Sequence, residues 1–216
     1  MRKNDTVRIQ RAGDVIPQVL AVVLEKRPPG TKPYLTPKHC PCPLRTEVER
    51  EKTEAGEEGA IIRCSGEFAC PYQTIEHLRH FVSRRAFDID GLGEKQIEFF
   101  HEQGWINEPA DIFTLETRNG NLKLKENNQK TRLEEVEGYG QVSVRNLFGA
   151  IAARRNIALE RFIYALGIRH VGETTAVALA RGYGSWNAFF NAASRSPRTT
   201  RRPSRRWTRS IRSATP

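Results

Sequence analysis

A chain of 216 residues has room for one or two ordinary domains, or for several very small ones. Its hydrophobic content of 38% supplies compact cores but not one large core. No apolar run approaches the roughly 20 residues that span a bilayer, and none near Met1 has the form of a signal peptide, so a soluble, cytoplasmic protein is expected. The net charge of +10 points to a polyanionic partner only until its distribution is read. Ser194–Pro216 carries eight arginines and no acid, and without them 27 basic residues face 25 acidic ones.

In chain order, Asp5–Leu24 is rich in β-branched residues and reads as two strands split by a Gly13–Asp14 turn. Two strands cannot bury both of their faces alone, so this stretch reads as the end of a β-domain. A Pro-rich linker follows, with Pro28, Pro29, Pro33 and Pro37. All four cysteines then fall between Cys40 and Cys70, spaced Cys40-x-Cys42, twenty-one residues, Cys64-x5-Cys70. Such clustering without an export signal favours a metal over disulfides. Four thiolates around one tetrahedral zinc ion would leave no open position, which makes the expected Zn(2+) structural. The first pair is one residue shorter than the usual Cys-x2-Cys knuckle, and His39 is the alternative ligand to Cys42. Four reduced, unrelated cysteines are the plain competing reading.

From Thr74 the period becomes helical, with Ile75, Leu78, Phe81 and Val82 on one face. Three segments share one form: DIDGLGEKQIEFF at Asp88–Phe100, LEEVEGYGQVSVRNLFGAI at Leu133–Ile151 and LGIRHVGETTAVALA at Leu166–Ala180. In the first two a Gly-apolar-Gly turn (Gly91 and Gly93, Gly138 and Gly140) leads into a helix; the third, with Gly172, is a looser copy. Ile97, Phe100, Val144, Leu147 and Phe148 are expected to face inward. A helix that starts on glycine presents free N–H groups and partial positive charge to a phosphate, and such a contact carries no base information. Arg84, Arg85, Lys95, Arg145 and Arg169 lie near the turns and would add phosphate contacts. The competing readings are a helical bundle with glycine C-caps and solvated surface arginines. The polar stretch Arg118–Gln129 reads as an exposed loop, and Asp88 and Asp90 as helix caps. Arg, Ser, Thr and Pro make up 20 of the last 23 residues, so the tail is expected to be disordered.

RAGDVIPQV, the four-cysteine module, HFVSRRAFDIDGLGEKQIE and RFIYALGIRHVGETTAVALA together resemble the bacterial NAD-dependent DNA ligases, from Asp5 to about Ala193. The resemblance implies that Cys40, Cys42, Cys64 and Cys70 are zinc ligands and that Gly91, Gly93, Gly138, Gly140 and Gly172 belong to helix-hairpin-helix turns. It implies a C-terminal fragment, α+β and multi-modular. Residues 1–27 would be the remnant of an OB-fold domain, 28–38 a linker, 39–73 a zinc finger, and 74–193 an all-α helix-hairpin-helix array. Residues 194–216 would be a basic tail, read either as genuine or as an out-of-frame translation of a fourth hairpin. The family's adenylation domain, with its Lys-x-Asp-Gly lysine and the sites for NAD and Mg(2+), has no counterpart in this sequence. No catalytic or cofactor-binding residue is therefore assigned, and the expected partner is nicked double-stranded DNA. A separate adenylation fragment is expected as a complement, membranes are not, and a bacterial cytoplasmic, nucleoid-associated location is implied. A stand-alone helix-hairpin-helix adaptor and a zinc-ribbon interaction protein are the competing functions. No Gly-x4-Gly-Lys-Ser/Thr loop or His-Glu-x2-His motif supports other chemistry.

Overall fold

The computed structural model describes residues 1–12, 16–52 and 56–195. The Gly13–Asp14 turn, and the tail from residue 196 with the disorder and frame-shift readings attached to it, lie outside the described residues. The chain divides into two compact units, Met1–Gly66 and Glu67 onward.

The first unit holds two antiparallel hairpins. β1 (Val7–Ala12) pairs with β2 (Ile16–Val22), with a register shift between Arg8 and Ile9. β3 (Val48–Lys52) pairs with β4 (Glu58–Cys64). The two runs expected in Asp5–Leu24 do pair as a hairpin, but Ile9, Val19 and Leu20 remain 61%, 44% and 56% exposed. Its base is tied by polar groups. Arg27 donates to Asp5 at 2.8 and 3.0 Å, and Arg2 donates its N–H to Asp5 and its guanidinium to the Thr31 carbonyl, both at 2.7 Å. Arg27 is the main cause that holds the Asp5 carboxyl below its usual range, against the opposing effect of burial.

The second unit is helical. Its helices are α1 (Pro71–Val82), α2 (Glu94–Glu102), α3 (Pro109–Arg118), α4 (Gln141–Ala153), α5 (Leu159–Ala165), α6 (Glu173–Tyr183) and α7 (Trp186–Arg195). Pro71 and Pro109 sit in the first turns of α1 and α3, where a missing N–H costs nothing, and a Glu108–Asp111 capping box closes α3. The core is the one the periodicity marked. Leu78, Phe81, Val82, Ile97, Phe100, Val144, Leu147 and Phe148 are buried in one cluster with Trp105, Ile112 and Leu115, and Ile75 packs against it. A smaller cluster joins Ile163, Ala176 and Ala180.

Two readings change. The stretch 118–129 is not simply an exposed loop: Leu122–Lys123 (β5) pairs with Lys130–Thr131 (β6), and Leu122 is buried. Leu122 and the partly buried Leu124, together with the Trp105 indole N–H donating to the Lys123 carbonyl at 2.8 Å, anchor an otherwise polar segment. Asp88 is not a helix cap either. It takes a left-handed φ of 55°, and its carbonyl and carboxylate accept bonds from Arg154 at 3.0 and 2.7 Å, while Gly93 occupies the cap of α2 with no side-chain cap bond.

Candidate nucleic-acid interface and metal centre

The knuckle that carries the first two cysteines is a tight hairpin. The Cys40 N–H donates to the Thr46 carbonyl at 2.8 Å, the Arg45 N–H to the Cys42 carbonyl at 2.9 Å, and the Val48 N–H to the Lys38 carbonyl at 3.0 Å. Cys64 ends β4, and Cys70 stands just before α1 with Pro71 following it. The four cysteines are reduced, and their sulfurs all lie within 4.8 Å of one another. A tetrahedron of sulfurs around zinc has edges of about 3.8 Å, so the donor set fits such an ion without rebuilding the backbone. Cys42 and Cys70 have no exposed surface, and Cys40 is buried as well. His39 is exposed and its backbone bridges to Glu47.

Donors surround the sulfurs. The Thr46 hydroxyl stands 2.8 Å from the Cys64 sulfur, and the Gly66 N–H donates to that sulfur at 3.3 Å. Burial pushes the Cys42 thiol up, but bonds from the Thr46 and Leu44 backbones and from the Cys40 and Thr46 side chains outweigh it and bring it down to about 6. The thiolate, which is the metal-ligating form, is therefore favoured at neutral pH.

The three glycine segments adopt one five-residue turn. Its first carbonyl accepts the N–H three residues on: Ile89 from Leu92 at 3.3 Å, Val136 from Tyr139 at 3.0 Å, and Ile168 from Val171 at 3.0 Å. The third residue is left-handed, being Gly91, Gly138 and His170 with φ of 84°, 87° and 65°. The fourth is apolar and packs inward; Leu92 is buried, Tyr139 stacks on Phe99 and Phe100, and Val171 joins the smaller cluster. The fifth is Gly93, Gly140 or Gly172, extended, capping α2, α4 or α6 and accepting its first helical bond at 3.0, 3.0 and 2.9 Å. The third segment is thus a full copy whose signal was hidden by a histidine at the left-handed position.

These glycines differ in why they are glycine. Gly91 and Gly138 need positive φ, where a β-carbon is strained. Gly140 and Gly172 have ordinary extended φ, and a β-carbon on either would meet nothing within 4 Å; at Gly93 it would touch only the flexible end of Gln96, at 3.0 Å. The fold itself makes no demand for glycine at 140 or 172.

Arg84, Arg85, Lys95, Arg145 and Arg169 are all exposed in the same unit. Arg85 already pairs with Glu173 at 2.6 Å, and Glu94 pairs with Arg79 at 2.9 Å, so α2 and α6 carry an acid in the first turn. The first turn of α4 has none.

A four-thiol cluster that could hold a metal ion and a series of helical hairpins with exposed, glycine-capped N-termini define the class: a helix-hairpin-helix protein with a cysteine cluster. A family model described as a helix-hairpin-helix motif matches residues 161–196. The chain is 70% identical over 192 residues to a protein named DNA ligase from Bradyrhizobium sp. strain BTAi1, 68% to one from Bradyrhizobium diazoefficiens, and 67% to one from Bradyrhizobium sp. strain ORS 278. Each match covers 89% of this chain and 26% of the relative, so the chain spans about a quarter of the length of these relatives. Over the portion they share, the chain is closely similar to these DNA ligases. Among the described residues, no helix is long and apolar enough to cross a membrane.

Proposed function

We propose that this chain is the DNA-gripping portion of an NAD-dependent DNA ligase, which seals single-strand nicks in replication and repair. The observation that carries the reading is the threefold turn. Three helices begin on an exposed glycine, and at two of them nothing among the described residues explains the missing β-carbon. A group from outside that approaches the backbone closely does explain it. Free N–H groups at a helix start and the partial positive charge there suit a phosphate oxygen. Phosphate contacts in series would hold a duplex without reading its bases.

In this reading the zinc ion is structural. Cys40, Cys42, Cys64 and Cys70 hold it, with Cys42 rather than His39 as the fourth ligand, and it supplies folding energy that so small a segment lacks. The strand pair at 1–27, with Ile9, Val19 and Leu20 exposed, fits a remnant of an OB-fold domain. Residues 28–38 serve as the linker, 39–73 as the zinc finger and 74–193 as the hairpin array. Gly91, Gly93, Gly138, Gly140 and Gly172 form the phosphate-facing turns, flanked by Arg84, Arg85, Lys95, Arg145 and Arg169. The chain carries no Lys-x-Asp-Gly, so transfer of AMP from NAD, with Mg(2+), belongs to the part of the relatives that it does not span. A cytoplasmic site of action beside the bacterial nucleoid follows from the substrate.

The test is a nick-sealing assay with NAD and Mg(2+). The chain alone is expected to bind the nicked duplex without sealing it, and a ligase adenylation portion added in trans is expected to restore some sealing. Sealing by the chain alone would overturn the division of labour, and failure to bind duplex DNA would overturn the reading altogether.

A further inference from the structure

The loop between α1 and the first hairpin turn, residues 83–88, carries Arg84 and Arg85 on the surface. Its own backbone turns it, with the Ala86 and Asp88 N–H groups donating to the Ser83 carbonyl at 2.9 Å and the Phe87 N–H to the Phe81 carbonyl at 3.0 Å, and further bonds reach it from far along the chain. One guanidinium, that of Arg161 in α5, donates from Nε to the Ala86 carbonyl and from Nη2 to the Arg84 carbonyl, both at 2.8 Å. The same guanidinium stands 4.0 Å from the Asp88 carboxylate. The Arg85 side chain is met from the same hairpin by Glu173, the first residue of α6, at 2.6 Å. The third hairpin thus grips the backbone that presents the basic pair of the first.

We infer that Arg161 is a positioning residue for DNA binding. Its planar fork spans two carbonyls and fixes Arg84 and Arg85 where they meet phosphate, so the grip of the first hairpin depends on the third. A third of the Arg161 side chain is exposed, at 34%, and two of its N–H donors, on Nε and Nη2, go to main-chain oxygens of one loop, which is the geometry of a brace. This inference rests on the DNA-binding reading above.

The test is Arg161→Lys in the full chain, loaded with zinc and read by fluorescence anisotropy on a short nicked duplex across a salt series. Lysine keeps the charge and would serve a direct phosphate contact, but it cannot bridge Arg84 and Ala86 as a fork. The expected result is a shallower dependence of log affinity on log salt, by about 0.9 for each of the two displaced arginines, with the melting temperature lowered by only a few degrees, as for one lost bond from a charged donor. The same loss is expected in Arg84→Ala/Arg85→Ala, with no further loss when the three changes are combined. An unchanged slope in Arg161→Lys, or a loss that adds to that of the double variant, would overturn the inference. If Arg161→Lys melts below the assay temperature, Arg161→Gln, which retains one donor arm, replaces it. Melting of both variants would assign the residue to the fold and overturn the positioning role. Failure of the DNA-binding reading looks different, because the unsubstituted chain would then show no salt-dependent binding to compare.

Discussion

Replacing Gly140 and, separately, Gly138 by alanine divides what the fold needs from what a ligand needs, two residues apart in one turn. At Gly138 φ is 87°, and an L side chain there costs about 1–2 kcal/mol. For a chain of this size that lowers the melting temperature by roughly 2–8 °C. At Gly140 φ is −97° and a β-carbon meets nothing within 4 Å, so alanine fits. The poorer N-cap propensity of alanine is offset by the freedom it removes from the unfolded chain, which leaves a shift under about 2 °C. Affinity for DNA should separate the two the other way. The new methyl group stands where a phosphate would approach the α4 N–H groups, and losing one bond to a charged oxygen costs about 1.5 kcal/mol, roughly tenfold in affinity. Thermal melts and anisotropy titrations on the two variants give both quantities. A Gly140→Ala protein that binds DNA like the unsubstituted chain would refute the reasoning, as would one that melts as early as Gly138→Ala.

Three further outcomes follow from the site and its surroundings. Cys42→Ala should lose the bound equivalent of metal and His39→Ala should keep it, since the sulfurs of Cys40, Cys42, Cys64 and Cys70 are gathered within 4.8 Å; metal analysis of the purified variants decides this. Burial, with His80 nearby, holds His77 down to about 4 from its usual 6.5, so the stability of its neutral form is complete above 6.5 and is lost as pH falls through 4. Acid unfolding of His77→Gln should show a pH dependence between those values that is weaker by about 3 kcal/mol; an unchanged profile would contradict it. Gly167→Ala should destabilise the chain by more than about 1 kcal/mol, because φ there is 61° and the new β-carbon would lie 3.1 Å from the His77 ring; calorimetry would show it.

What could be read from the sequence was whatever depended on neighbours along the chain. The apolar spacing of Leu78, Phe81 and Val82, and of Val144, Leu147 and Phe148, marked the core faces, and these residues are buried together. Clustering of cysteines at unusual density marked the thiol group. The contacts that escaped were made at a distance. Arg154 reaches Asp88 across 66 residues and Arg161 reaches Arg84 across 77, and no local pattern foretells either. The third turn shows only faintly in the sequence because His170, and not a glycine, takes its left-handed position. The spacing apolar-x-any-apolar-Gly would have found all three turns. The short β5–β6 pair escaped because two-residue strands have no periodicity to detect.

Charge offered the weakest guide, since the arginine-rich tail supplies most of the net +10. The central claim is that the hairpins, and not this tail, hold DNA. It is tested most directly by a salt titration of duplex binding by the full chain beside one that ends at Arg195. Phosphate contacts by three of the basic residues beside the hairpins predict that the shortened chain keeps a slope of log affinity against log salt of about 2.7 in magnitude. Loss of all salt-dependent binding with the tail would contradict the account.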